Sequence, residues 1–370
     1  MTVSDIVNYR LFNQQIAQTS FSTPQEIVSW MVAMQAQEYA MSKWAIGLRL
    51  NGVTDADIEK AFNDGLILRT HLLRPTWHFV TPDDIRWVVE LTAPRIRRAM
   101  AYYDKELELN SKIYNKCNDI IGKALSGGHH LTRSALSDLL QNDGLTLNGR
   151  QMGQIMINAE MDCLVCSGKR EGKQFTYALF DERAPYTKSI DKDEALLLLA
   201  QRYFVSRGPA TIKDFSVWSG LTITDAKRAS AMLDDAVFTR ETFEGNEYLL
   251  SRETLDLASS FSSSAAKKVQ KSFLMPDYDE YGMGYIDRTA IFNPIKITGE
   301  FKRNNPVFDR MIIVDGIIEG TWKRTIKGKA VIVETYPFRE LSKAKADLVK
   351  KSVDRFVHFT ENSLVKFTGV

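Results

Sequence analysis

Two stretches of the sequence carry polar side chains at spacings that could serve chemistry. WMVAMQAQEYAM contains Gln35 and Gln37, and LLRPTWHFV contains Arg74, Thr76 and His78. A glutamine side chain has no proton to exchange near neutral pH, so neither glutamine can act as a general base in the way that Asp or Glu could. Their amide groups can instead orient a water molecule.

The spacing of Gln35 and Gln37 predicts a local departure from helix. Residues two apart on a regular helix point to different sides and could not hold one water molecule together. We therefore expect the pair at a helix end or break. The alternative is that both are ordinary surface residues after the amphipathic Trp30, Met31 and Met34, as most isolated glutamines are.

The second stretch reads as a strand. Thr76 and His78 are two residues apart, so their side chains share one face of an alternating strand and could line the same pocket. A histidine satisfied within the core is an equally good interpretation. Arg74 could contact a phosphate group or pair with an acidic neighbour.

A pattern of helices followed by a hairpin recurs along the chain. Its clearest copy spans residues 119–180: a short helix, a second helix with Thr132 as the N-cap, a third helix over 150–161, and two strands. The turn between these strands is basic, with the sequence KREGK at 169–173. This order of elements is typical of a winged helix-turn-helix.

A second copy spans 194–250, and a less regular one begins with helices from residue 24 and ends in an extended segment that reaches residue 80. The predicted fold is therefore mainly α with α+β: three tandem winged helix-turn-helix modules followed by a C-terminal α+β unit. The polar segment SSFSSSAAKKVQKS reads as the connector to this last unit. The predicted boundaries are 1–115, 116–190, 191–255 and 256–370.

The C-terminal unit contains an alternating segment, FDRMIIVDGIIEGTWKRTIKGKAVIVETY. Its glycines Gly316, Gly320 and Gly328 are predicted to form turns of an antiparallel sheet. Helix is predicted to return in RELSKAKADLVKKSVDRFVHFTE.

Composition narrows the possible classes. The chain has 370 residues, 44% of them apolar, and 25% charged residues that nearly cancel at a net +2, so a disordered polycation is excluded. The first residues, MTVSDIVNYR, do not resemble a signal peptide, and no segment approaches the roughly 20 apolar residues that span a bilayer. We therefore expect a cytoplasmic protein.

The chain has three cysteines, which agrees with a reducing compartment. Cys163 and Cys166 form a C-x-x-C pair, but the chain offers no second pair for a zinc site. We expect the two cysteines on opposite faces of a buried strand, and no metal. The sequence also contains no Walker loop, G-x-G-x-x-G, H-E-x-x-H or G-x-S-x-G, so common nucleotide, protease and hydrolase mechanisms lack support.

Winged helices present a helix and a basic turn to nucleic acid, although they also serve as protein-interaction modules. Basic residues at helix starts and turns are therefore candidate DNA contacts, each of which could equally be a solvated surface charge. They are Arg133, Arg150, Lys169, Arg170, Lys173, Lys213, Lys227, Arg228, Lys323 and Arg324, with Lys327 and Lys329 near the last two. The final cluster could also protect an edge strand.

The two opening stretches resemble the N-terminal signature of the AlkZ/YcaQ-type winged-helix DNA glycosylases, in which a Gln-apolar-Gln or Gln-apolar-Asp motif precedes an Arg-Pro-Thr-x-His strand. Here they are Gln35-Ala36-Gln37 and RPTWH at 74–78. FLMPDYDEYGMGYIDR is similar to the family's Pro-x-x-Asp-Glu-Tyr segment, and IIVDGIIEGTWKR extends the resemblance across most of the chain.

The resemblance implies three winged helices around duplex DNA and excision of N-alkylated purines, in some members with unhooking of interstrand crosslinks. It implies that Gln35 and Gln37 are catalytic and that Arg74, Thr76 and His78 lie near the lesion. With Gln rather than Asp at position 37, we expect activity on cationic lesions, which leave as neutral bases. Asp279, Glu280 and Tyr281 either reach the DNA groove or form a structural hydrogen-bonded corner.

No metal or organic cofactor is implied, because glycosidic hydrolysis needs only water. The expected partner is double-stranded, damaged DNA, and three modules in one chain make a dimer unnecessary. The competing interpretations are a non-enzymatic winged-helix DNA-binding protein or regulator and a protein-interaction scaffold.

Overall fold

A computed structural model describes residues 1–185, 188–255, 271–292 and 308–369. The helices are α1 (Val3–Asn13), α2 (Pro24–Met31), α3 (Tyr39–Gly47), α4 (Asp55–Asn63), α5 (Pro82–Glu106), α6 (Ser111–Leu125), α7 (Arg133–Asn142), α8 (Gly149–Met161), α9 (Phe180–Arg183), α10 (Lys192–Arg207), α11 (Ile212–Ser219), α12 (Ile223–Ala231), α13 (Glu280–Met283) and α14 (Lys343–Phe359). The strands are β1 (Met34–Gln35), β2 (Leu68–Leu72), β3 (Thr76–Val80), β4 (Leu131–Thr132), β5 (Val165–Ser167), β6 (Thr176–Leu179), β7 (Phe238–Phe243), β8 (Asn246–Ser251), β9 (Ser272–Leu274), β10 (Met311–Val314), β11 (Ile317–Lys327), β12 (Ala330–Pro337) and β13 (Ser363–Thr368).

The chain is therefore of mixed α and β structure and divides into two compact units. The first unit consists of residues 1–59, 197–218 and 222–370, and the second of residues 60–196 and 219–221. The predicted polar connector, SSFSSSAAKKVQKS, lies outside the described residues except for its last two positions.

The first unit contains a five-stranded sheet in the order β13-β12-β11-β10-β9. Neighbouring strands from β9 to β12 are antiparallel, as the alternating sequence predicts, whereas β13 pairs with β12 in parallel. Helix α14 packs on β9 and β10, and Trp322 meets its Phe356 with ring centroids 4.8 Å apart. The predicted return to helix after the sheet is confirmed.

Two of the three predicted turn glycines occupy turns. Gly316 and Gly328 have φ values of +79° and +61°, which glycine adopts without steric cost. The prediction for Gly320 is wrong, because this residue lies within β11 opposite Pro337. A side chain at position 320 would collide with the backbone of Tyr336 and Pro337, so close strand packing accounts for this glycine.

The second unit places α6, α7 and α8 beside a three-stranded sheet in the order β4-β6-β5. Thr132 caps α7 by accepting a hydrogen bond from the backbone of Ala135, as predicted. Asn148 forms a capping box with Gln151 at the start of α8. The apolar faces of the helices meet in one core, where the apolar residues that recur at helical spacing in the sequence are buried. This core includes Cys117, Ile121, Leu136, Leu140, Met152, Ile155 and Val165.

The two cysteines of the C-x-x-C pair do not share a strand, so that prediction is wrong. Helix α8 continues to Met161, and Cys163 lies in the turn that follows, with φ at +52°. Only Cys166 lies in β5. Burial raises the pKa of each thiol to about 12, so both are unreactive thiols near neutral pH.

Candidate active site and nucleic-acid interface

Gln35 and Gln37 lie in the first unit, in the segment between two helices. Helix α2 ends at Met31 and α3 begins at Tyr39; Gln35 is in the short strand β1, and Gln37 is in the bend that follows. The non-helical backbone that their spacing predicts is therefore present. In an extended segment, side chains two residues apart can face the same side, as a shared water molecule would require.

The two glutamines differ in burial. Gln35 is only 8% exposed, whereas Gln37 is exposed. Within the described parts of the chain, no hydrogen-bond donor reaches Oε1 of Gln35. A buried acceptor without a partner costs about 1–3 kcal/mol, so this oxygen is suited to accept a hydrogen bond from a water molecule or substrate.

Asp279, Glu280 and Tyr281 form a buried, hydrogen-bonded corner of the first unit. Both oxygens of Asp279 accept hydrogen bonds from Arg49, at 2.8 and 2.9 Å. The hydroxyl of Tyr281 donates to the carbonyl of Gly316 at 2.8 Å. Of the two interpretations from the sequence, the structural one describes Asp279 and Tyr281. Glu280 has a further contact, because it accepts a hydrogen bond from the backbone of Gln35.

Arg74, Thr76 and His78 lie in the second unit, on the β2–β3 hairpin. These strands pair antiparallel, with Leu68 opposite Val80 and Leu72 opposite Thr76. His78 is fully buried, and its Nδ1 is 2.9 Å from the carbonyl oxygen of Thr76. A core histidine and a histidine lining a buried pocket would both show this burial, so both interpretations of His78 stay predictions. Arg74 and Thr76 are half-buried, and their predicted place beside a lesion stays a prediction.

A cavity of about 680 Å³ opens in the second unit and combines cationic with aromatic walls. Arg133 lies at the start of α7, and Asn148 and Gly149 form the start of α8. Helix N-termini carry partial positive charge and free N–H groups, which favours anions there. The other lining residues include Arg69, Trp77, Lys173, Phe175 and Tyr177. The cavity is therefore suited to a phosphate group.

Arg69 is a residue of this cavity that the sequence did not single out. It is 6% exposed, and its guanidinium carbon lies 4.1 Å from the ring centroid of Trp77 and 4.6 Å from that of Phe175. Such stacking stabilises a buried arginine. Arg69 lies in strand β2, whereas its stacking partner Phe175 is far away in the sequence, so no local pattern indicates its role.

The remaining predicted DNA contacts occupy several environments. Arg150 pairs with Glu106 at 2.8 Å, and Arg170 packs on Phe175 at 4.4 Å. Arg324 is half-buried in β11, where burial, and to a lesser extent Arg310, lowers its pKa. Arg150 is exposed, and so are Arg133, Lys169, Lys173, Lys213, Lys227, Arg228, Lys323, Lys327 and Lys329.

Two kinds of feature are absent from the described residues. No cluster of three or more His, Cys, Asp or Glu side chains could hold a metal ion there. In the same residues, no helix is both long and apolar enough to cross a membrane.

Comparisons with known proteins identify the family. A family model described as DNA glycosylase AlkZ-like matches residues 28–359. The interstrand DNA cross-link repair glycosylase of Streptomyces sahachiroi is 20% identical, with 91% of each chain covered. The structure of Streptomyces sahachiroi DNA glycosylase AlkZ matches with a TM-score of 0.79 at 17% identity over 100% of both chains, so the two share a fold.

The family match includes the Gln35-Ala36-Gln37 segment and the Asp279–Tyr281 corner. It makes DNA the partner of this chain and does not favour the non-enzymatic alternative. The protein belongs to the AlkZ-like family of DNA glycosylases and is an enzyme of DNA repair.

Proposed function

We propose that the chain hydrolyses the N-glycosidic bond of cationic N7-alkylpurines in duplex DNA, with Gln35 and Gln37 positioning the attacking water. The observation that carries this proposal is the environment of Gln35. Its Oε1 is buried and, among the described residues, meets no hydrogen-bond donor. Gln35 belongs to a non-helical segment in which a second glutamine, Gln37, is exposed two residues further on.

The residue types suit a cationic leaving group. When the bond between C1′ and N9 breaks, its electron pair neutralises the positive charge of an N7-alkylguanine, so no strong acid is needed. Water adds to the oxocarbenium-like C1′ and releases a proton to solvent. Amide oxygens can orient this water and stabilise the developing positive charge without accepting a proton. A neutral base is a poorer leaving group, and glutamine cannot protonate it.

The order of elements supports the three winged-helix modules. The proposed modules are residues 1–115, 116–190 and 191–255. In each, a set of three helices precedes an antiparallel hairpin: α2, α3 and α4 before β2–β3; α6, α7 and α8 before β5–β6; α10, α11 and α12 before β7–β8. Helix α1 precedes the first set, and α6 begins at Ser111, shortly before the proposed boundary. Residues 256–370 would form the C-terminal α+β unit. In this assignment α4, α8 and α12 are the third helices, which enter grooves in such motifs.

The cation-lined cavity supports a duplex DNA interface on the second unit. Arg133 and Lys173 are exposed at its rim, where they can contact phosphates without breaking a buried interaction. Lys169 and the helix start at Gly149 would extend this contact. The exposed residues of the other modules and of the β11–β12 hairpin are weaker candidates. One chain provides all of these surfaces, so an oligomer is not required.

Crosslink unhooking is an extension of the same chemistry. The Streptomyces relative is described as an interstrand cross-link repair glycosylase. A crosslink through two N7-alkylated purines contains the same cationic nucleotide twice, so one water-positioning site would suffice for either half.

The proposal is tested by base release from a duplex that contains N7-methylguanine. The wild type is expected to release the base, and the Gln35→Ala, Gln37→Ala double variant is expected to lose this activity. Gln18→Ala, which changes an exposed glutamine of the same unit, is the matched control and should retain it. A duplex that contains hypoxanthine, a neutral base, should give no release.

Three results would argue against the proposal. Salt-dependent DNA binding without release of N7-methylguanine or a bulkier N7 adduct would favour a non-enzymatic binder. Full activity of the double variant would remove the glutamines from the site. Equal release of hypoxanthine would contradict the restriction to cationic lesions.

A further inference from the structure

Two adjacent acidic residues of the first unit, Asp279 and Glu280, form separate buried ion pairs. Asp279 pairs with Arg49, and both side chains are fully buried. Glu280 pairs with Arg207, with exposures of 3% and 0%. Burying an ion pair carries a desolvation cost that good geometry only partly offsets, so stability alone is weak grounds for having two.

The Glu280 carboxylate joins three elements of the first unit. Its Oε1 accepts a hydrogen bond from the backbone N–H of Gln35 at 3.0 Å. Its Oε2 accepts from Nη2 and Nε of Arg207, at 2.8 and 3.1 Å, and from Nε1 of Trp218 at 2.9 Å. With Oε2 held by these donors, Oε1 is fixed in place for Gln35.

Arg207 holds the same segment from the preceding residues. Its Nη1 donates to the carbonyl of Met31 at 3.0 Å, and its Nη2 donates to the carbonyl of Ala33 at 2.9 Å. Between these two carbonyls lies Val32, whose φ is +62°. A β-branched residue in this left-handed region is strained and persists only where its surroundings enforce it. Arg207 and Glu280 therefore fix the backbone at residues 31, 33 and 35.

We propose that Glu280 and Arg207 are positioning residues for catalysis, which hold the Gln35 amide where it can orient the attacking water. This inference rests on the proposed function. The Gln35 side chain follows the direction set by its backbone, and the partnerless Oε1 has no described protein contact of its own to fix it. Displacement of a reacting group by about 1 Å can lower a rate about 100-fold.

The neighbouring Asp279–Arg49 pair provides a matched control. It is equally buried and one residue away in the sequence, but its described contacts are with Gln14, the carbonyl of Ala45 and the backbone of Tyr281. Variants of either pair should destabilise the first unit. Only those of the Glu280–Arg207 pair should displace the Gln35 segment.

The experiment compares Glu280→Gln and Arg207→Lys with Asp279→Asn and Arg49→Lys in the full-length protein. Arg207→Lys retains the positive charge but cannot donate to Met31, Ala33 and Glu280 in the arginine geometry. It therefore carries the comparison if Glu280→Gln fails to fold. Single-turnover release of N7-methylguanine and the Kd for the same duplex are measured at a temperature where all variants are folded.

For the Glu280 and Arg207 variants we expect release to slow at least tenfold while the Kd changes less than twofold. Hydrogen exchange of a peptide covering residues 31–37 should accelerate in the same variants. The Asp279 and Arg49 variants should retain the wild-type release rate and the exchange protection of that peptide.

Three results would overturn the inference. If the wild type is active and all four variants lose activity equally, the positioning role alone is overturned. The same holds if the Glu280 and Arg207 variants keep the wild-type rate. A wild type that releases no base would overturn the proposed function, and the positioning role with it.

Discussion

Charged side chains are arranged differently in the two units. In the first unit, Arg49, Asp279, Arg207 and Glu280 are at most 3% exposed and bond to one another and to backbone groups. In the second unit, Arg97 and Asp162 form an ion pair with exposures of 44% and 39%. Arg133 and Lys173 line an open cavity there.

The difference reflects two uses of charge. A buried pair has few alternative arrangements, so it can hold a backbone segment in one conformation. An exposed cation is mobile and hydrated, and contributes little to stability but can meet a phosphate. Buried ion pairs hold the candidate catalytic segment of the first unit. Exposed cations form the candidate DNA surface of the second unit.

The largest expected effect comes from breaking a buried pair. Arg49→Met should lower the free energy of unfolding by about 3–5 kcal/mol, because Asp279 would keep a buried charge without its partner. Urea unfolding followed by circular dichroism measures the change, which should fall on the transition of the first unit. Arg97→Met, which removes an exposed pair, should cost less than about 1 kcal/mol. Equal losses would contradict the contrast between the units.

Removal of two exposed cations should affect DNA binding more than folding. The Arg133→Ala, Lys173→Ala double variant is expected to bind a duplex about 10–100-fold more weakly in 100 mM salt. The slope of log Kd against log salt should fall by about two, one for each lost phosphate contact. Fluorescence anisotropy at several salt concentrations measures both values.

Lys116→Ala is the control for this loss of charge. Lys116 is an exposed residue of the same unit and pairs with Asp143 at 3.1 Å. Its removal should leave the salt slope near the wild-type value. Lys116 does not line the cavity. If its removal lowered the slope by about one, as each cavity cation is expected to, net charge and not the cavity would explain the binding.

Local signals account for much of the predicted fold. Thr132, the alternating residues after α8 and the basic turn sufficed to predict the helices and hairpin of the second unit. The non-helical Gln35 segment followed from an argument about which side chains can share a water molecule. In these cases, the residues that determine the structure lie within about one element of each other.

Long-range contacts could not be predicted in this way. Glu280 and Gln35 are 245 positions apart, and Arg207 reads only as the last residue of α10. Cys163 was misplaced because the strand was extended back into a turn. Gly320 was misplaced because a close approach between β11 and β12 requires glycine as a turn does. Each of these errors or omissions has one of two causes. Either residues far apart in the sequence pack together, or the predicted end of an element is wrong by a few positions.

One buried charge in the second unit tests whether burial also matters there. Arg69 is stacked between Trp77 and Phe175. Arg69→Lys should cost about 1–2 kcal/mol, because an ammonium group cannot stack on both rings as a planar guanidinium does. A double-mutant cycle with Phe175→Leu, read by urea unfolding, isolates the stacking. No coupling between the two changes would mean that Arg69 is held by its other contacts.

The smallest expected effect concerns the turn between β5 and β6. The backbone N–H of Lys169 donates to Nδ1 of His130 at 2.8 Å, which requires a neutral ring. Burial, together with Arg183 and Lys169, lowers the pKa of His130 below its ordinary value of 6.5. Its contribution to stability is therefore complete above pH 6.5 and is lost as the pH falls through the lowered pKa.

Wild-type protein should accordingly lose slightly more stability between pH 7.5 and pH 5 than His130→Gln, whose side chain does not titrate in this range. Urea unfolding of both proteins at several pH values gives the comparison, since carboxylates and other histidines contribute equally to each. Because the ring is only partly buried, solvent screens it and the difference should be small. Parallel pH profiles would mean that the ring is not held neutral by this turn, and that the base of the turn tolerates a protonated histidine.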